Sequence, residues 1–341
     1  MGINGLEADS YTIRLEPSGR EIRCRSGQTL LDAVIRNDMS VLYGCRHGNC
    51  SSCKARVIDG DYELMARVSE FALMSFERED GYILMCCTLP ESDMIVEVEE
   101  EEPGIELFSI HDFTATITEN ERVTHEIHIL RARLSEPFDI PYAAGQYFEF
   151  HIPGLEETSA FSMASDYERG AILEFHVKRI PGNRGSNYLA DLKAGHTVTG
   201  SGPYGRMQLR NRNKDVVMVA EGSGLAPIKA LLHKLFKEDF SKNVWLFYGA
   251  RSVRDLYLTN EWVKLANEHS NFHIISALSN RDAAEPWDGE EGFIADVVTR
   301  HFDALHDTDA YLSGPPVMIQ TTLQSLYKLG VRSSNIFYDE F

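Results

Sequence analysis

The sequence predicts a multidomain chain: a small mixed α+β domain, then an antiparallel β-barrel, then an α/β domain built on a doubly wound parallel sheet. Three observations point there. All six cysteines lie at or before Cys87, so the thiols belong to one N-terminal domain. From about residue 113 to 210, alternating apolar runs are broken by Gly and Pro, as in short antiparallel strands. From Asp215 onward, strand patterns alternate with helix patterns, which calls for a parallel sheet covered on both faces. The 341 residues suffice for two or three such domains.

Residues 11–25 read as two strands joined through Pro17-Ser18-Gly19, a turn signal. Residues 29–37 read as a helix: Thr29 and Asp32 make a capping-box-like start, and Leu31, Val34 and Ile35 form one apolar face. After a cysteine-rich loop, a strand at 54–58 runs into Asp59-Gly60, a hairpin turn. A helix at 69–77 and strands at 82–85 and 94–98 complete a domain spanning 8–100. The acidic stretch 101–107 is a linker. The barrel, of six or seven strands, fills 108–210, with its clearest strands at 148–152 and 173–178. The last domain, 211–341, has strands at 215–220, 243–248, 272–277, 310–312 and 336–338. Its helices run from the glycine loop to about 236, then over 260–267, 293–302 and 317–329.

The formal charge is −19. Residues 1–107 hold 21 acidic and 10 basic side chains, a net of −11 in under a third of the chain. That balance argues against nucleic acid or an anionic membrane as partner. It suits solubility, and also an acidic face that steers toward a basic patch on another protein. No apolar run approaches the ~20 residues needed to cross a bilayer. With no secretion signal, a reducing cytoplasm is the expected compartment.

Cys45, Cys50 and Cys53 fall in the pattern C-x4-C-x2-C within YGCRHGNCSSC, and Cys86 follows in GYILMCC. This is the spacing that holds a plant-type 2Fe-2S cluster. Gly44 and Gly48 let the loop backbone turn its N–H groups toward the sulfurs. A disulfide framework would suit a secreted chain, and zinc would more often show two C-x2-C pairs. Cys86 and Cys87 are neighbours, and strand neighbours point to opposite faces, so one of them ligates. In the third domain, Gly222-Ser223-Gly224 lies between a strand end and a helix start, where a pyrophosphate can approach the backbone. Alone, so short a glycine loop is a weak indication.

The order of these features resembles the ferredoxin–NADP reductase superfamily, and within it the reductase components of soluble multicomponent (diiron) monooxygenases, with an N-terminal plant-type ferredoxin domain of β-grasp fold. The resemblance runs from about residue 11 to Phe341. The ferredoxin segment in which cysteine follows Gly-Tyr and three more residues selects Cys86. The flavin motif Arg-x-Tyr-Ser reads Ser159-Ala160-Phe161-Ser162, and the second flavin motif is met by Gly182 through Ser186. The nicotinamide motifs read Glu221-Gly222-Ser223-Gly224-Leu225-Ala226-Pro227 and Ser313-Gly314-Pro315-Pro316.

The resemblance implies roles residue by residue. Phe161 would stack on the isoalloxazine, with Ser162 near the flavin N5 and Met163 beside it. Val177 and Lys178 would meet the flavin through backbone groups. Gly185 and Ser186, helped by Arg184, would hold the pyrophosphate. Gly222, Ser223 and Gly224 would cradle the NADH phosphates. Ser313, Gly314 and Pro315 would border the nicotinamide, and Phe341 would cover the flavin face. Ser162 and Ser313 would be the catalytic pair. Arg251 stands where a 2′-phosphate would be read, which leaves NADPH open, but the resemblance favours NADH. Ser159 replaces the arginine expected at the FAD pyrophosphate, a loss of roughly 1.5–3 kcal/mol of charge-assisted bonding. FAD is therefore expected to dissociate during gel filtration and dialysis more readily than in relatives.

The resemblance implies a monomeric NADH-dependent reductase that passes electrons from NADH to FAD, to a 2Fe-2S cluster, and on to a hydroxylase on a separate chain. The reductase of a Rieske-type aromatic dioxygenase has the same modules. A non-catalytic redox sensor on the same fold is the reading from another class, and steady NADH oxidation with an artificial acceptor separates it.

Overall fold

The computed structural model describes residues 10–99, 105–155, 158–168, 170, 172–210 and 213–340. It divides into two compact units, Met1–Ile110 and His111–Phe341.

The first unit contains, in chain order, β1 (Ser10–Glu16), β2 (Arg20–Arg25), α1 (Leu30–Arg36), β3 (Lys54–Asp59), β4 (Tyr62–Leu64), α2 (Ser75–Glu79), β5 (Tyr82–Leu84), β6 (Thr88–Pro90) and β7 (Met94–Glu97). The main sheet runs β2-β1-β7-β3-β5, with β1 and β7 parallel and the other pairs antiparallel. Helix α1 buries Leu30, Leu31, Ala33, Val34 and Ile35. The Thr29 hydroxyl caps it by accepting the Asp32 N–H at 3.3 Å.

Three local expectations change. Asp59-Gly60 does not close a hairpin: β4 pairs with β6 in a separate two-stranded sheet. Both edges of β3 are already taken, by β5 and β7. The helix expected over 69–77 is reduced to α2. The Ser69 N–H instead reaches Gly48 O at 2.9 Å, and the Ala72 carbonyl accepts from Ser51 Oγ at 3.2 Å, so this backbone is committed to the cysteine loop. Cys86 and Cys87 lie not on a strand but on a 3-10 turn over Met85–Cys87.

The second unit begins with β8 (His111–Arg122), β9 (Ile127–Glu136), β10 (Tyr147–His151), β11 (Thr158–Ser162), β12 (Leu173–Lys178), α3 (Arg184–Asp191) and β13 (Thr197–Tyr204). Its six-stranded sheet, β11-β10-β13-β8-β9-β12, is antiparallel throughout. The two outer strands approach at a bridge between Met163 and Phe175, which brings the sheet close to a closed barrel. Phe113, Phe148, Phe150 and Phe175 fill it, with ring centroids 5.0–6.3 Å apart.

The chain continues through β14 (Asp215–Glu221), α4 (Leu225–Lys237), β15 (Val244–Ala250), α5 (Thr259–Glu268), β16 (Phe272–Leu278), β17 (Glu290–Glu291), α6 (Ile294–His301), β18 (Thr308–Gly314), α7 (Pro316–Lys328) and β19 (Ile336–Glu340). The sheet is parallel, ordered β17-β16-β15-β14-β18-β19. Short β17 has no counterpart in the sequence reading. Separate apolar cores cover the two faces. Ile127, Ala144 and Met207 of the barrel join one of them, which ties barrel and parallel sheet into one unit.

A buried ionic cluster strengthens that tie. Glu174 on β12 accepts from Lys229 Nζ on α4 at 2.8 Å and from Arg131 Nε on β9 at 2.8 Å. Burial alone would raise the Glu174 carboxyl, but His176 and Lys229 together hold it well below the usual carboxylate range. Lys229→Ala should cost about 2–3 kcal/mol in a denaturant titration, below the 3–5 kcal/mol of a fully orphaned buried charge because Arg131 stays in place.

Candidate cofactor and nucleotide sites

The cysteine loop turns on two left-handed residues, Arg46 (φ +58°) and Gly48 (φ +79°). They aim backbone donors inward: the N–H groups of His47, Asn49 and Cys50 lie 3.4, 3.4 and 3.3 Å from Cys45 Sγ. The Cys45 N–H lies 3.4 Å from Cys50 Sγ. Four amides on two sulfurs are what thiolates require, so the residues present fit an iron–sulfur cluster.

The thiols fall into two pairs. Contact between the Cys45 and Cys50 sulfurs holds the Cys50 thiol down, to about 5, and Cys45 up. The neighbouring Cys53 sulfur pushes Cys86 up to about 12, while the Gly48 N–H on the Cys86 sulfur opposes that rise. The Met85 N–H bonds Cys53 O at 3.0 Å, which brings the second pair together. Among the described residues, no three His, Cys, Asp or Glu side chains could hold a single metal ion. Two pairs suit a two-iron cluster, in which each iron takes two protein ligands. Cys87 sits 3.6 Å from Cys86 Sγ but faces Arg67, and a Cβ on Gly48 would come within 2.8 Å of its sulfur.

The flavin residues gather where β11 meets the start of α3. Phe161 and Ser162 are half-buried, and Phe161 packs edge-on against Phe150 at 6.0 Å. Met163 and Val177 are fully buried, so their side chains belong to the barrel core. Strand β12 pairs with β9 along one side and meets the other edge of the sheet at the Met163–Phe175 bridge, so near Lys178 its outer side carries no paired strand among the described residues. Gly185 lies against β11: a Cβ there would be 2.0 Å from Ser159 Oγ. The Ser186 N–H, expected at the pyrophosphate, is instead taken by the Asn183 side chain capping α3 at 2.9 Å. Its hydroxyl is buried and has no hydrogen-bond partner among the described residues, as a phosphate contact would leave it. Arg184 Nη2 would lie 3.4 Å from a Cβ on Gly154, at the turn after β10.

Gly222, Arg251 and Ser313–Pro315 lie at the carboxyl ends of β14, β15 and β18, along one edge of the parallel sheet. Gly222–Gly224 forms a 3-10 turn entering α4, with Gly222 at φ +60°. A Cβ on Gly224 would be 2.0 Å from Ser313 O, so only glycine fits between the two nucleotide motifs. The Ser313 side chain is buried and its Oγ is unpartnered among the described residues. Ser223 is half-buried, and Arg251 is exposed just beyond β15. Burial raises the Glu221 carboxyl, against the pull of nearby Lys178 and Arg251.

Phe341 lies outside the described residues. Two functional candidates were not singled out in the sequence. Asp339 pairs in register with Ser313; its Oδ2 is shielded from solvent and unpartnered among the described residues, and burial pushes the carboxyl up to about 7. The residue as a whole is only partly covered, so the shift belongs to that inward oxygen. Tyr257 is the other, its hydroxyl donating to Gly222 O at 3.1 Å. No residue pattern announces either one.

Three family descriptions match in succession: 2Fe-2S iron-sulfur cluster binding domain over 13–91, oxidoreductase FAD-binding domain over 114–209, and oxidoreductase NAD-binding domain over 218–324. The phenol hydroxylase P5 protein of Acinetobacter pittii is 32% identical over 336 residues, covering 97% of this chain and 94% of that one. The propane 2-monooxygenase reductase component of Mycolicibacterium smegmatis is 34% identical over 341 residues, covering 98% of each. Among solved structures, the Amycolatopsis cytochrome P450 reductase GcoB superposes with a TM-score of 0.88 at 28% identity, covering 97% of this chain and 98% of that one. FAD, the 2Fe-2S cluster and NADH are accordingly the redox groups of this oxidoreductase. With two thiol pairs under inward amides, a flavin barrel and a parallel-sheet nucleotide site in one continuous match, the chain belongs to the iron–sulfur flavoprotein family of oxygenase reductase components.

Proposed function

We propose that this protein is the reductase component of a multicomponent, diiron-type monooxygenase, taking electrons from NADH and delivering them to a hydroxylase on a separate chain. The carrying observation is the pair of thiol pairs with four amides on the Cys45 and Cys50 sulfurs, on a chain that matches monooxygenase reductases end to end. When bound, the flavin accepts a hydride and the cluster relays single electrons. The chain's own part is positioning. In this reading Cys45, Cys50, Cys53 and Cys86 hold the irons. Phe161, Ser162, Lys178, Arg184, Gly185 and the Ser186 hydroxyl seat the flavin. Gly222–Gly224 and Arg251 hold NADH, and Ser313–Pro315 border its nicotinamide.

We place the domains at 8–100, 108–210 and 211–341, with 101–107 as linker; the three family matches fall inside these limits. The reading also includes a monomer, and a reducing compartment that the six free thiols support. Among the described residues, no helix is long and apolar enough to cross a membrane. The toluate 1,2-dioxygenase electron transfer component of Pseudomonas putida, 28% identical over 323 residues, supports the dioxygenase alternative less strongly.

The test is an anaerobic absorbance titration of the FAD-reconstituted protein with NADH and, separately, NADPH. Bleaching of both flavin and iron–sulfur bands at low NADH excess is the expected result. Bleaching of the flavin alone would refute the cysteine assignment, and no response to either nucleotide would refute the reductase reading.

A further inference from the structure

The flavin strand and the nucleotide loop are joined by a hydrogen-bond relay that neither motif contains. His176 on β12 immediately precedes Val177 and Lys178, and its side chain is fully buried. Its Nδ1 lies 2.9 Å from the Tyr257 hydroxyl, and that hydroxyl donates to Gly222 O at 3.1 Å. Tyr257 is itself buried, 4% exposed, and its N–H bonds the Tyr248 hydroxyl at 3.1 Å. It follows β15 and a 3-10 turn over Val253–Asp255, outside both glycine motifs.

The proton count determines the direction of the relay. A tyrosine hydroxyl has one proton. It goes to Gly222 O, so the phenol oxygen accepts from His176 Nδ1–H. His176 Nε2 lies 3.4 Å from Glu174 Oε1. Burial favours the uncharged ring, holding His176 below its ordinary value against the pull of Glu174. Glu174 is in turn held by Lys229 of α4 and Arg131 of β9, which fixes the carboxylate beside the imidazole.

We propose that Tyr257 is a positioning residue for NADH: through His176 it fixes the Gly222 carbonyl, and with it the phosphate-binding turn, at a set height above the flavin strand. Within its own turn the Gly222 carbonyl, on a residue at φ +60°, accepts the Leu225 N–H, and the Tyr257 hydroxyl adds a restraint from outside that turn. The proposal rests on reading Gly222–Gly224 as the phosphate loop.

The experiment measures ADP-ribose binding to the FAD-loaded, oxidised protein by calorimetry, with FAD content per chain measured alongside. ADP-ribose carries the phosphates and lacks the nicotinamide, so it reports on the loop without turnover. Tyr257→Phe should weaken ADP-ribose about tenfold, the worth of one buried hydrogen bond, with FAD content unchanged. A merely structural role would lower FAD content and leave the ADP-ribose affinity of the folded protein unchanged, and that result overturns the proposal. Should Tyr257→Phe fail to fold, His176→Gln and His176→Leu read the relay from its other end. Glutamine keeps an N–H donor and should preserve affinity, leucine should lose it, and equal affinities overturn the proposal. Ser223→Asp tests the loop reading separately: a carboxylate there should abolish ADP-ribose binding. If it does and Tyr257→Phe binds normally, only the tyrosine's role falls; if Ser223→Asp binds normally, the loop reading itself falls.

Discussion

Cys86→Ser should yield a protein that still oxidises NADH with ferricyanide but reduces cytochrome c about 100-fold more slowly. Losing a cluster ligand should cost at least the 10–100-fold typical of losing an outer-shell partner. Cys87→Ser should keep the cluster and most of the activity. The reason is geometric. Cys86 stands beside Cys53 and receives the Gly48 N–H, completing the second thiol pair, whereas Cys87 is turned toward Arg67. Iron and sulfide analysis, with low-temperature EPR of the reduced protein, decides between them. A Cys86→Ser protein with full iron content, alongside an iron-free Cys87→Ser protein, would exchange the two assignments.

Gly224→Ala should nearly abolish flavin reduction by NADH while FAD remains bound. The new Cβ would sit 2.0 Å from Ser313 O and 2.4 Å from Ser313 C, both backbone atoms, so the end of β18 must move. Displacement of about 1 Å in a reactant-positioning element can cost about 100-fold in rate, and overpacking of this kind costs about 1–3 kcal/mol of stability. Gly222→Ala is the contrast. Its Cβ meets nothing within 4 Å, and the cost is the left-handed backbone alone, about 1–2 kcal/mol. Stopped-flow flavin reduction should therefore separate the two variants by at least tenfold. Equal rates would show that the close approach of the two nucleotide motifs does not position NADH.

The cysteine spacing, the glycine turn and the strand–helix alternation were legible because each is a local rule. Thiolate geometry requires C-x4-C-x2-C in one loop. A parallel strand entering a helix requires small residues at the corner. Helix α1 was readable to within one residue from Thr29 and its apolar face, since a cap and a 3.6-residue period act over a single turn or two. Where local rules misled, a distant partner had outbid them. Residues 69–74 have a helical pattern, but their backbone bonds Gly48 and Ser51. Asp59-Gly60 looks like a hairpin turn, but the edges of β3 belong to β5 and β7.

What residue order alone established is the modular plan, the cysteine spacing of the first domain, and the positions of the glycine turns. Folding in three dimensions singled out the rest: the Glu174–Lys229 pair 55 residues apart, Asp339 beside Ser313, and the His176–Tyr257–Gly222 relay across 81 and 35 residues. The physical reason is reach. Spacing reports forces acting along a few residues of chain, whereas the partner of a buried polar group is set by which strands and helices pack together.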